Sequence, residues 1–209
     1  MNLGIIGSGN VGGTLGSRWA ALGHAVVFGS RDPGGAPMRE LLARAGANAR
    51  AASVAEAAAA SDVVLLATPW PATQSVLAGL PLSGKVLIDA TNPLLANLHG
   101  LEYGTTTSGA ENVEQWAPGA RVVKAFNTVG FKVMANPVFD GRAAAMFLCG
   151  DDGESKETVQ ELARAIGFDA RDAGGLRQAR LLEPCALLWI SLAIEQGYGL
   201  EFGFSVMKR

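Results

Sequence analysis

Metal-ligating and disulfide-forming residues are scarce in this sequence. Its 209 residues include two cysteines, Cys149 and Cys185, and two histidines, His24 and His99. Four such residues so far apart exclude a zinc cluster or a stapled secreted scaffold and fit a reduced, cytoplasmic chain. An excess of either charge is also missing: 17 Lys and Arg face 19 Asp and Glu, for a net charge of -2. Nucleic acid and anionic membrane surfaces are therefore not the expected partners. The longest apolar run, residues 186–194, is nine residues broken by Ser191, well short of the ~18 that span a bilayer. No basic segment precedes the first apolar run, so a signal peptide is not expected. The abundant residue is glycine, 27 in all, with a concentration in the first 35 positions that calls for a local cause. Apolar residues make up 49% of the chain, enough for one substantial core.

Short runs rich in β-branched residues alternate with helix-compatible segments, the βαβ rhythm of a mostly parallel, doubly wound α/β sheet covered on both faces. Strands are predicted at 2–6, 25–28, 62–67, 86–89, 121–125, 143–149 and 168–171. Helix starts are marked by the capping-box spacings Ser53…Glu56 and Ser108…Glu111, with Pro37 suited to a first turn and Gly46 to a helix stop. Val159, Leu162, Ala163 and Ile166 repeat at helical spacing. From about residue 175 the rhythm gives way to one helix-compatible stretch over 181–196 and an aromatic, glycine-containing tail. The expected organisation is a nucleotide-binding domain over 1–174 and a helical tail over 175–209. So short a tail needs the domain, or a second copy of the chain, to pack against.

Gly7, Gly9 and Gly12 form a G-x-G-x-x-G run, with Ser8, Asn10 and Val11 between them, directly after the first strand and before the first helix. In that place Gly7 makes the tight turn, Gly9 admits a pyrophosphate close to the backbone, and Gly12 lets helix and strand approach. The free amides and positive dipole end of the helix complete a phosphate cradle. The end of the second strand then selects the dinucleotide. NAD enzymes usually carry an acid there, and this chain reads Gly29-Ser30-Arg31, donors matched to the adenosine 2'-phosphate of NADP(H).

Ligands in such sheets lie beyond the carboxyl ends of the strands. Thr68, Asn92, Asn127 and Thr128 fall there as neutral hydrogen-bonding residues suited to a ribose and a carboxamide, and Pro69, Trp70 and Phe126 as flat walls. Lys124 is the one cation beside them, positioned either to protonate a product or to pair with an acid on a neighbouring element. Neither histidine has a partner nearby in sequence, and Cys149 reads as packing. Reduction of an isolated carbonyl normally uses a positioned acid, whereas hydride exchange between two planar heterocycles depends chiefly on alignment. The scarcity of proton donors therefore favours a flavin-like acceptor.

The sequence resembles the NADP oxidoreductases that depend on the 5-deazaflavin coenzyme, factor 420, and the related cytosolic reductase domains of six-transmembrane metalloreductases. The resemblance rests on the run Gly7 to Gly12, Gly23-His24 with Gly29-Ser30-Arg31, and Thr68-Pro69-Trp70. It continues through Cys149-Gly150-Asp151-Asp152 followed by Glu154-Ser155-Lys156, then Asp172-Ala173-Gly174 with Arg180-Leu181-Leu182-Glu183. It implies a doubly wound NADP-binding domain, a C-terminal helical element used in forming a homodimer, and hydride transfer between nicotinamide and a deazaflavin or a flavin such as FMN or FAD. By the same resemblance Ser8, Asn10, Val11, Ser30, Arg31 and Thr68 hold NADP, and Asn127 lies near the two rings. Deazaflavin members tend to carry His where this chain has Asn127; the metalloreductase relatives are closer at that point. Two other readings stay open: a reductase of a small imine or carbonyl, and an NADP-binding redox sensor without turnover.

Overall fold

The computed structural model describes residues 1–209. The chain runs β1 (Asn2–Ile6), α1 (Asn10–Ala21), β2 (Ala25–Gly29), α2 (Ala36–Ala45), β3 (Ala49–Ala52), α3 (Val54–Ala59) and β4 (Val63–Leu66). It continues through α4 (Trp70–Leu77), β5 (Val86–Asp89), α5 (Gly109–Trp116) and β6 (Arg121–Lys124). Then follow α6 (Phe131–Ala135), the hairpin β7 (Val138–Phe139) and β8 (Arg142–Ala143), β9 (Ala145–Gly150), α7 (Gly153–Ala165), β10 (Asp169–Asp172) and α8 (Ala179–Ile194).

Eight strands form one sheet in the order β3-β2-β1-β4-β5-β6-β9-β10. Every neighbouring pair is parallel except β6 and β9, which run antiparallel. The first six strands are the doubly wound 3-2-1-4-5-6 arrangement, in which the order reverses between β1 and β4 and opens a crevice at their carboxyl ends. β4 and β5 are buried at every residue, as expected of strands covered on both faces. Trp19, Leu15, Met38, Leu41, Val133 and Leu162 bring α1, α2, α6 and α7 onto one face; Trp70, Leu77, Val113 and Leu182 bring α4, α5 and α8 onto the other. No helix is long and apolar enough to cross a membrane.

The predicted strands are present with ends shifted by no more than two residues, the usual uncertainty of element boundaries, and 2–6 and 86–89 are unshifted. The predicted strands omit β3 and the β7–β8 hairpin. β3 is Ala-Arg-Ala-Ala and carries no β-branched residue; it is a strand because β2 offers it an edge. The β7–β8 hairpin turns on Asp140 (φ 47°) and Gly141 (φ 78°), the left-handed pair that a two-residue Asp-Gly turn requires, and that dipeptide was a usable signal. Of the two predicted capping boxes, the one at Ser53 is complete, with Glu56 bonded back to the Ser53 amide. At Ser108 only the serine caps the helix.

The Glu111 carboxylate is instead taken by Arg180 of α8, which donates from Nε at 2.9 Å and from a terminal nitrogen at 2.6 Å. Those bonds hold the Glu111 carboxyl below the ordinary carboxylate value. A depressed folded-state value contributes stability above the ordinary carboxylate range that is lost as pH falls through it. Arg180→Ala is thus expected to lower the urea midpoint at neutral pH, with the gap to wild type narrowing as the solution is acidified below roughly pH 4. A gap independent of pH would assign the loss to packing alone.

Candidate functional site

The crevice between β1 and β4 is a cleft of about 1040 Å³ that opens at the carboxyl ends of the central strands. One end is the glycine turn. Gly7 has φ 100°, and a Cβ there would lie 2.4 Å from the Ala67 carbonyl oxygen, so only glycine lets β1 pass this close to β4. A Cβ on Gly9 would meet nothing within 4 Å; its freedom faces the open cleft. The first turn of α1 has no side-chain cap and no acidic residue, a state it shares with α2, α4, α6 and α8; α1 differs in opening directly from the glycine turn onto the cleft. The amides of α1 are left for an anion. These features fit a pyrophosphate.

Ser30 and Arg31 line the cleft beyond the end of β2. The Ser30 hydroxyl accepts from the Asp32 amide at 3.0 Å, which leaves its proton to donate outward. Arg31 is exposed and forms none of the nine salt bridges of the structure, so the adjacent Asp32 does not claim its guanidinium. Thr68 shares a 3.0 Å hydrogen bond with Thr73, whose own hydroxyl donates to the Pro69 carbonyl at 3.3 Å. Thr68 is thereby the donor of the pair and turns lone pairs to the cleft.

The far wall was not read from sequence. The connection between β5 and α5 folds into a flap, bridged at Leu94 and Leu101, that presents Leu94, Leu95, Ala96 and Leu98 to the cleft. Trp70 pins its base by donating from Nε1 to Glu102 at 2.8 Å while packing on Tyr103 and Trp116. His99 reaches Glu195, at the end of α8, at 2.8 Å and is exposed. The signal was the Leu94-Leu95 pair after Asn92-Pro93, two large apolar residues in a loop where polar ones are usual.

Ten of the predicted cofactor residues beside Gly7 line this cleft: Ser8, Gly9, Asn10, Val11, Ser30, Arg31, Thr68, Pro69, Trp70 and Asn92. Three predicted site residues do not. Gly12 lies beneath the turn, where a Cβ would stand 2.0 Å from the Gly7 carbonyl oxygen and 2.9 Å from Ile5, so its part is packing alone. Asn127 and Thr128 are buried behind the wall rather than on it, because the chain turns inward at Phe126, φ 60°. Lys124 is fully buried. Its Nζ donates to Asp89 at 2.9 Å and to the Thr91 carbonyl at 2.6 Å, and pairs with Glu183 at 2.9 Å. Burial alone would lower its pKa, but the two carboxylates more than offset this and raise it above the ordinary lysine value. It is a structural cation, unable to protonate a product. Cys149 is buried, and burial pushes its thiol up to about 12, which makes it inert.

The switch-point crevice, the glycine turn and the uncapped helix define a doubly wound dinucleotide-binding protein. The family described as "NADP oxidoreductase coenzyme F420-dependent" matches residues 2–93. The F420-dependent NADP reductase of Methanothermobacter thermautotrophicus is 32% identical over 209 aligned residues, covering 93% of this chain and 90% of that protein. The chain therefore belongs to the family of F420-dependent NADP reductases and is an NADP-dependent oxidoreductase. A crystal structure of a candidate F420-dependent NADP reductase from Arthrobacter sp. FB24 superposes with TM-score 0.89 at 30% identity over the whole of both chains. Rat metalloreductase STEAP3 is 34% identical over 189 residues, but this chain spans only 36% of its length.

Proposed function

We propose that the protein moves a hydride between NADP(H) and a deazaflavin of the factor 420 type, with a flavin such as FMN or FAD as the nearest alternative acceptor. The reading rests on where charge is absent: of the cleft-lining residues only Arg31 and Asp32 are ionisable, and both stand at the end of β2. The rest of the cleft is apolar or neutral, so no side chain is placed to protonate an isolated carbonyl or imine. When bound, the nicotinamide supplies the hydride and the second ring delocalises the charge it receives. The chain's residues bind and align. Gly7, Gly9 and the amides of Asn10 and Val11 hold the pyrophosphate, with Ser8 beside them, and Gly12 keeps α1 close enough for its amides to reach. Ser30 and Arg31 hold the 2'-phosphate. Thr68 and Asn92 offer an acceptor and an amide to the ribose and nicotinamide side, Pro69 and Trp70 form one flat wall, and Leu94, Leu95 and Leu98 exclude water from the other.

Arg31→Ala is expected to lower the preference for NADPH over NADH by about 10- to 100-fold, the worth of one or two charge-assisted hydrogen bonds. Binding of both nucleotides, followed by quenching of tryptophan fluorescence, reads the ratio; an unchanged ratio removes Arg31 from the 2'-phosphate site. NADPH oxidation with the deazaflavin coenzyme, FMN, FAD and a panel of imines tests the acceptor. Turnover with an imine alone contradicts the proposal, and tight NADPH binding with no turnover makes the protein a sensor.

The same reading includes a homodimer in the cytoplasm. Its support is the outer face of α8, where Leu181 and Leu188 are 66% and 53% exposed at a spacing of two helical turns, together with two free thiols. Leu188→Glu is expected to convert the dimer to monomer in a sizing experiment; equal masses for variant and wild type remove this interface.

A further inference from the structure

The geometry points to Asn127 as a positioning residue that acts through Asn92, fixing the one amide side chain that faces the cleft beyond β5. Asn92 and Asn127 form a reciprocal pair. Asn92 donates from Nδ2 to the main-chain carbonyl of Asn127 at 3.0 Å, and Asn127 donates from Nδ2 to Asn92 Oδ1 at 3.1 Å. The second Asn127 N–H is taken by the Leu182 carbonyl of α8, also at 3.1 Å. Both protons of the Asn127 amide are thus committed, and the pattern leaves no freedom to exchange oxygen for nitrogen in either side chain. Asn92, half-buried on the cleft wall, is left with one N–H and one lone pair in a set direction.

Two features separate this arrangement from ordinary packing. The Asn127 Oδ1 atom is buried without a partner, as is the neighbouring Thr128 hydroxyl. A residue kept only to fill space would be apolar there, because a carbonyl buried without a partner loses its hydration and gains nothing in return. The preceding residue, Phe126, holds φ 60°, an outlier for a bulky side chain and of the kind that clusters at functional sites. Its ring is locked edge-on against Trp19 and Phe168, and its backbone turn is what aims Asn127 back at Asn92. The pair also joins three elements at the cleft: the connection after β5, the end of β6, and α8. A change in how α8 packs therefore reaches the cleft through one side chain.

This inference rests on the proposed cleft chemistry for its effect on rate, and on the ligand-free protein alone for its geometry. The test is a cycle of Asn127→Ser, Asn92→Ala and the double variant. Asn127→Ser is expected to slow hydride transfer from NADPH to the deazaflavin coenzyme by roughly tenfold, the worth of a neutral hydrogen bond. In the Asn92→Ala background the same change is expected to cost nothing further. Losses that multiply in the double variant overturn the role through Asn92. The second readout is nuclear magnetic resonance of the protein without nucleotide. The Asn92 side-chain amide, held in Asn127→Ser only through the main-chain carbonyl at position 127, is expected to be more mobile there than in wild type; equal order in both overturns the inference whether or not the deazaflavin is the acceptor. Asn127→Asp keeps the shape and loses both donors, and carries the same test should the serine variant fail to fold.

Discussion

Lys124→Met is expected to destabilise the protein by about 3–5 kcal/mol, the cost of stripping one partner from a buried ionic cluster, and to lower the melting temperature by roughly 10–15 °C. Lys124, Asp89 and Glu183 are 0%, 0% and 1% exposed, and each carboxylate has a second duty. Asp89 Oδ1 accepts from the amide and hydroxyl of Thr91 at 2.9 and 2.6 Å. Glu183, reaching from α8, accepts from the amides of Gly109 and Ala110 at 2.8 and 3.0 Å. The cluster carries one net negative charge, and the N-terminus of α5 is where such a charge is favoured. Without the lysine, two carboxylates face each other in a dry interior. Glu183→Gln, which leaves Lys124 one full counter-charge in Asp89, is expected to cost distinctly less. Because the lysine value is raised in the folded state, the contribution of Lys124 is fully present at neutral pH and is lost as pH rises above about 10.4 and through that raised value. Chemical unfolding of the three proteins at neutral pH reads these differences. Equal losses for the lysine and glutamate variants would falsify the ionic account in favour of packing. The floor of the cleft depends on the same cluster, since the Thr91 carbonyl that Lys124 grips belongs to a cleft residue.

Gly12→Ala is expected to abolish measurable NADPH binding, a loss of at least about 100-fold, even where the fold persists. A methyl group there would sit 2.0 Å from the Gly7 carbonyl oxygen, and backbone cannot yield as a flexible side chain does. To relieve the overlap the start of α1 must lift away from β1, which carries its free amides out of reach of the pyrophosphate. Gly9→Ala gives the contrast. Its added methyl has open space in the ligand-free protein, so stability is expected to hold while binding falls, because the space it enters is the ligand's. Titration of both variants with NADPH, beside their melting temperatures, separates the two effects. Wild-type affinity in Gly12→Ala would remove α1 from the phosphate cradle.

Much of this was legible in the sequence because the signals were local. The glycine spacing, the β-branched runs and the Ser-Arg pair after β2 each encode their role within a few residues, and the cleft gathers ten of the predicted cofactor residues beside Gly7. What was not legible depended on partners distant in the chain. Nothing near Lys124 announces that its acids lie 35 residues before it and 59 residues after it, at Asp89 and Glu183. Asn127 sits where strand periodicity puts a ligand contact, and only the reversed backbone at Phe126 sends it behind the wall. β3 exists through its neighbour, and the leucine flap through Trp70 and Glu102, a bond across 32 positions.

Isotope transfer reads hydride exchange between NADPH and a deazaflavin ring in this cleft. NADPH carrying deuterium at the nicotinamide C4, on each face in turn, is mixed with the oxidised coenzyme, and the reduced product is examined by mass spectrometry. Label from one face is expected to pass to the deazaflavin C5 without dilution by solvent protons. Reduced coenzyme free of label from either face, or no reduction at all while an imine is reduced under the same conditions, contradicts that exchange.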